Sequence, residues 1–294
     1  MLASDIPEPL RHAAAGGCLV PFIGAGVSLH AETQGRPFPL GNELIREIKL
    51  VGDHSSNSLS EDEEAEIGRL LFEGKHLMAA DFLRDRVPKY AMGDFLRRRL
   101  AGNNAKPGRL HRALLRLNAP LIMTTNYDSL LENACVEMLR ENPAVATPEA
   151  GLDKVSWVLK GNRRSLGDAP LIFKLHGTVE DAGSIVFGEM DYARLIRNPG
   201  YRSILTAILI TKVVLIMGHS FSDPDIFHIL RESEQTGPHY IVFSHRETRA
   251  IESRQMRAYY GFEFIEIEHD DLPDFVESLA AFVPAPARDD ADDA

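Results

Sequence analysis

The sequence is short of cysteine, of excess positive charge and of long unbroken apolar runs, and each shortage removes a class of protein. Two of the 294 residues are cysteine, Cys18 and Cys135, and neither belongs to a C-x-x-C pair. A structural zinc site built on cysteines is therefore excluded. The reducing cytoplasm is the expected compartment. Lys and Arg number 32 against 43 Asp and Glu, a formal net charge of -11. A surface that tracks phosphates needs the opposite balance, so nucleic acid is not expected as a direct partner. The run "FLRRRL" around Arg97 is locally basic, and a solvated helix face explains it more simply. The longest apolar stretch, "SILTAILITKVVLIMG", is interrupted by Thr211 and Lys212. It reads as a helix end followed by a buried strand, so no membrane span is expected. The opening residues lack the basic, apolar, small-residue order of a secretory leader.

Several chemistries are missing too. The sequence has no G-x-S-x-G elbow for a serine hydrolase and no G-x-x-x-x-G-K-[ST] phosphate loop. Histidines 54, 76 and 111 fall in loop or helical regions without metal-ligand spacing. There is no internal repeat.

What remains is a chain with 44% hydrophobic residues, long enough for one large core. Short apolar runs alternate with helical spacing. "LVPFI", "LIM", "LIFKL", "VVLIM" and "YIVF" are solid rather than alternating, as strands buried on both faces are. "SIVF" is expected to be a further short strand, and "FEFIEIE" a late one. The predicted fold is α/β: a Rossmann-like, doubly wound, mostly parallel sheet. Residues 1–284 form the expected domain. A helical insertion occupies about residues 62–118, broken by Pro88 and Pro107. "PDIFHILRESEQ" is an expected helix, and residues 285–294 an acidic disordered tail.

In such a sheet the binding crevice lies outside the carboxyl ends of the strands, and the polar residues gather there. "GAG" with Ser28 follows the first strand, "TTNYD" the second, "LHG" the third and "GHS" the next. Gly24 and Gly26 would bring backbone and free amide N–H groups close to a phosphate. A tight strand-to-helix turn is the alternative, and Leu29 stands where the third glycine of G-x-G-x-x-G belongs. Asn126 and Asp128 are turn formers or a water-placing amide beside a carboxylate. His176 is a structural imidazole or a base for a sugar hydroxyl. Gly218 and Ser220 are a turn or a phosphate and ribose contact.

The ordered set "GAGVS", "TTNYD", "KLHG", "IVFGE", "MGHS" resembles the sirtuin family, over residues 18 to about 225. The cysteines of the deacylases' zinc module are missing, and a helical block stands in its place. The chain is most similar in this to the sirtuin-like NAD-hydrolase domains of bacterial anti-phage defence systems. The resemblance implies NAD+ as substrate and no metal. It implies Asn126 and His176 as catalytic residues, with Gly24, Ala25, Gly26, Ser28 and Asp128 around pyrophosphate and ribose. Gly218 and Ser220 would hold the adenosine side, and Ser244 would approach the adenine ribose. It further implies activation by homo-oligomer assembly or by a regulatory defence partner such as an ATPase. A zinc-free deacylase or ADP-ribosyltransferase, and a non-catalytic NAD or ADP-ribose sensor, are the alternatives.

Overall fold

A computed structural model describes residues 6–53, 59–100, 105–161, 169–219, 237–244 and 261–284. Ser220, the expected helix at "PDIFHILRESEQ" and the acidic tail lie outside the described residues. Among the described residues seven strands form one sheet: β1 (Leu19–Ile23), β2 (Leu121–Thr124), β3 (Val145–Ala146), β4 (Leu171–Lys174), β5 (Val213–Met217), β6 (His239–Phe243) and β7 (Phe262–Glu266). Their order is β3-β4-β2-β1-β5-β6-β7, and every pairing is parallel. The expected doubly wound architecture is therefore the observed one. The chain runs from β1 outward through β2, then returns to β1's other side with β5. This reversal of strand order, at β1, opens the crevice expected of such sheets.

The solid apolar strands are buried as their composition requires. All five residues of β1 and all four of β2 and β4 are buried. Pro21 has no N–H to give to a ladder, and the pairing of β1 with β2 begins after it, at Phe22 opposite Met123.

Helices cover both faces of the sheet. On one lie α1 (Glu8–Ala15), α7 (Arg109–Arg116), α8 (Leu130–Leu139) and α12 (Leu272–Ala280), packed through Leu10, Leu114, Leu131 and Phe275. On the other lie α9 (Leu152–Leu159), α10 (Glu189–Arg197) and α11 (Pro199–Thr211), packed through Val155, Leu195, Tyr201 and Ile208. Helix α11 starts where the Asn198 side chain caps Tyr201 N and Pro199 takes the first position. It ends at Thr211, and β5 begins two residues later, as "SILTAILITKVVLIMG" predicts.

The remaining helices, α3 (Gly41–Asp53), α4 (Glu61–Phe72), α5 (His76–Arg86) and α6 (Lys89–Leu100), bury a third apolar cluster including Phe38, Ile48, Ile67 and Leu83. A reciprocal Ser60–Glu63 capping box starts α4. This helical block includes α3, which precedes the span read as an insertion, whereas α7 packs on the sheet.

One expected element is absent: "SIVF" is not a strand. Residues 182–184 make a 3-10 turn and the chain runs irregularly to α10. The outer edge of β4 is already taken by β3. Val186 is bonded instead to the crevice loops: its N–H donates to His176 O, and its carbonyl accepts from Tyr127 Oη at 2.6 Å.

Candidate active site

The loops after β1, β2, β4 and β5 meet at the strand-order reversal. A four-residue helix, α2 (Ala25–Ser28), follows β1 directly, and Gly24 leads into it in an extended conformation. The glycines have a steric cause. A Cβ on Gly24 would lie 2.5 Å from Gly218 O and 2.7 Å from the His219 ring. One on Gly26 would lie 2.9 Å from Gly218 Cα. Gly218 itself has φ +66°, and a Cβ there would lie 2.7 Å from Val27 N. The β1 and β5 turns thus touch backbone to backbone. Their N–H groups are also spent internally, Gly24 N on Met217 O (3.0 Å) and Gly26 N on Gly218 O (2.9 Å). The expectation that these two glycines free their amides for phosphate differs from this arrangement. Their bareness serves the packing of one loop on the other.

The β2 loop is fixed by side chains. Asn126 N donates to Thr124 Oγ1 at 2.9 Å. The Asn126 amide donates to Gly24 O (3.0 Å) and Ser28 Oγ (2.9 Å). Ser28 Oγ donates to Asp128 Oδ2 at 2.7 Å, and Asp128 Oδ1 accepts from Leu130 N at the start of α8. Asn126, Ser28 and Asp128 are all buried. With both N–H groups of its amide committed, Asn126 keeps its Oδ1 as a buried acceptor that has no hydrogen-bond partner among the described residues. That oxygen can receive a hydroxyl or water proton.

His176 follows β4, the neighbour of β2, and is 3% exposed. Its Nδ1 is 3.4 Å from Tyr192 Oη, and the two rings meet edge to face with centroids 4.9 Å apart. Burial lowers its pKa to about 3, so the imidazole is neutral near pH 7. Gly177, next to it, has φ +83°, and a Cβ there would lie 2.1 Å from Ser184 O.

The structure therefore brings Gly24, Gly26, Ser28, Asn126, Asp128 and Gly218 into one bonded or touching group, with Ala25 half-buried within it and His176 on the adjoining strand end. Ser244, buried at the end of β6, stands one strand beyond β5.

Sequence reasoning missed four residues. Thr124 holds the Asn126 backbone. His219 lies 3.2 Å from Thr125 Oγ1 and packs on Phe22. Tyr192 contacts His176. Lys174 is fully buried at the end of β4. A charge inside a solid apolar strand was the available signal for the last, and the histidine in "GHS" for the second; Tyr192 gave none.

The helical block abuts this site. Gly188 packs on Asp81 of α5, whose Oδ2 accepts from Met190 N at 3.2 Å. Arg84 of α5 pairs with Asp191, and Asp191 accepts from Phe187 N. Among the described residues no group of three His, Cys, Asp or Glu could hold a metal, and no helix is long and apolar enough to cross a membrane.

A parallel α/β sheet with its polar residues at the point of strand reversal defines a nucleotide-site class of fold. Comparison with known families narrows that class. Residues 120–265 match the model of the SIR2-like domain. The chain is 33% identical over 121 residues to the NAD(+) hydrolase ThsA of Cytobacillus dafuensis, covering 41% of this chain and 22% of that protein. It is 30% identical over 148 residues to the NAD(+) hydrolase ThsA of Enterococcus faecium, covering 45% and 27%. With defense-associated sirtuin 2 of Bacillus subtilis it shares 22% identity over 271 residues, 88% of this chain and 24% of that protein. The matches thus span under a third of each relative's length.

Proposed function

We propose that the protein is an NAD+ glycohydrolase. Water adds to C1′ of the nicotinamide ribose, the C–N bond breaks, and nicotinamide, ADP-ribose and one proton leave. The observation that carries this reading is the Asn126 amide, locked by Gly24 O and Ser28 Oγ with its Oδ1 left to accept. The names of the relatives support the same chemistry.

Nicotinamide departs as a neutral molecule from a cationic ribosyl nitrogen, so the site needs no strong acid. The centre at C1′ passes through an oxocarbenium-like state, as in glycoside hydrolysis. What the protein supplies is one oriented nucleophile in a site shielded from bulk water. Asn126 Oδ1 holds a water or ribose hydroxyl through its proton. His176, neutral and buried, orients a second hydroxyl. Both act as hydrogen-bonding groups, with no metal invoked.

In this reading the protein acts in anti-phage defence by depleting NAD+ in the cytoplasm. Continuous activity would kill the host, so turnover is switched by assembly of copies or by a regulatory defence partner such as an ATPase. The contact between α5 and the loop after β4 is consistent with control through the helical block.

The test follows NAD+ and its products by chromatography, with the wild-type protein beside Asn126→Ala and His176→Ala, alone and with the products of neighbouring genes. Nicotinamide and ADP-ribose from the wild type, lost in both variants, support the proposal. NAD+ that binds and survives under every condition refutes it in favour of a sensor.

A further inference from the structure

The site's hydrogen bonds leave one buried charge without a part in the chemistry. Lys174 ends β4, two residues before His176, and is 1% exposed. Its ammonium donates to the carbonyls of Tyr127 (3.3 Å) and Asp128, the two residues that follow Asn126, and lies 3.4 Å from Thr178 Oγ1. It pairs with Glu132 Oε1 at 2.7 Å, in the first turn of α8. Lys174 therefore ties the β2 loop, the β4 loop and the start of α8 to one nitrogen. A small cavity of about 10 Å³ lies beside it, lined by Asn126, Asp128, Glu132, Lys174, His111 and Thr124 among others.

Stability alone is a poor account of this pair. Removing two charges from water costs several kcal/mol per ion, and apolar side chains of similar volume commonly serve as well or better. Burial raises the pKa of Glu132, and the Lys174 charge opposes that rise. Glu132 Oε2 finds no hydrogen-bond partner among the described residues, an added cost that an apolar residue would not carry. What apolar residues cannot do is give a donor to two loop carbonyls at once.

We infer that Lys174 and Glu132 are a positioning pair: they fix the backbone that follows Asn126, and so the placement of its amide for attack at C1′. The inference rests on the NAD-cleaving reading for its effect on turnover, and on geometry alone for its effect on the loop. Its signature is a loss in kcat with little change in KM for NAD+.

The test compares the wild type with Lys174→Met/Glu132→Leu and with Glu132→Gln. Melting temperature, kcat and KM for NAD+ are measured where the wild type turns over, with deuterium exchange at amides 125–130. The double apolar variant should melt within about 5 °C of the wild type. Its kcat should fall about 10-fold or more, with KM within about threefold, and exchange at 125–130 should rise. Wild-type kcat in that variant overturns the inference, and so does unchanged exchange. If the double variant does not fold, Glu132→Gln, which keeps the volume and removes the countercharge, is judged by the same two criteria. If the wild type never hydrolyses NAD+, the proposed function is what fails, and exchange at 125–130 alone decides the pair.

Discussion

The crevice has two flanks that are held by different means. On the β1–β5 flank, Gly24, Gly26 and Gly218 touch through missing side chains, with Gly218 O as the shared surface. On the β2–β4 flank, Asn126, Asp128 and Lys174 are held, with Ser28 reaching over from α2, by buried polar atoms 2.5 to 3.3 Å from their partners, the shortest between Lys174 and Asp128 O. The first flank is intolerant of any added atom. The second is intolerant of any lost donor or acceptor. A substitution that shrinks a side chain therefore separates them as cleanly as one that enlarges it.

Asn126→Ala should give the largest effect, because it removes the acceptor on the second flank; the first flank loses only the donor to Gly24 O and keeps its contacts with Gly218. Turnover of NAD+ should fall by about 100-fold or more, with folding retained, as read from kcat beside the melting temperature. Wild-type turnover in that variant would break the functional half of the comparison.

Gly24→Ala tests the first flank. Its Cβ meets a backbone carbonyl and an imidazole, neither of which can withdraw cheaply. A stability loss of about 1–3 kcal/mol is expected in chemical denaturation. Gly177→Ala transfers the same sensitivity to the second flank, and its positive φ adds backbone strain. Should Gly24→Ala be neutral, the glycines are not packing residues, and close approach to a ligand regains its place as their reason.

Ser28→Ala sharpens the contrast from within α2, since the change is small and polar in effect. It strips a partner from both Asn126 and Asp128. A stability loss of about 1–2 kcal/mol is expected, with a fall in kcat smaller than that of Asn126→Ala. A gain in stability on this substitution would show that the buried network is not satisfied as described.

The comparison extends to pH. Burial lowers His176 to about 3 on the second flank, and His239, at the start of β6, to about 4. Both have folded values below their unfolded value near 6.5. Between about 4 and 6.5 the unfolded chain binds the extra protons, so stability rises with pH across that window and falls on acidification. Each such histidine contributes a slope of up to about 1.4 kcal/mol per pH unit. Melting temperature followed from pH 7 to pH 5 should decline, and His239→Gln should flatten the decline. A melting temperature that rises on acidification would contradict the burial of these rings.

Much of this was legible beforehand. Solid apolar strands meant a sheet buried on both faces, and the polar residues after "LVPFI", "LIM", "LIFKL" and "VVLIM" marked one crevice. What escaped was set by partners distant in sequence. "SIVF" has strand composition, yet β3, a two-residue strand with no pattern of its own, already occupies the edge it would need. Lys174 passed unremarked within "LIFKL", because its use depends on carbonyls 46 and 47 residues away. The glycines of "GAG" were visible as glycines. That their surface is Gly218, across the sheet, is a fact of topology rather than of local sequence.

The pairing of Leu19 with Val213 has a consequence for biosynthesis. β1 is synthesised well before β5, one of its two neighbours, because β2, β3, β4 and the helices between them lie between the two in the sequence. Loop closure over that span is an entropic cost that local helices do not bear. Until residue 218 has been synthesised, Gly24 lacks the carbonyl it rests on. A translation product that stops before residue 218 therefore has no assembled crevice, and in the proposed reading it cannot cleave NAD+.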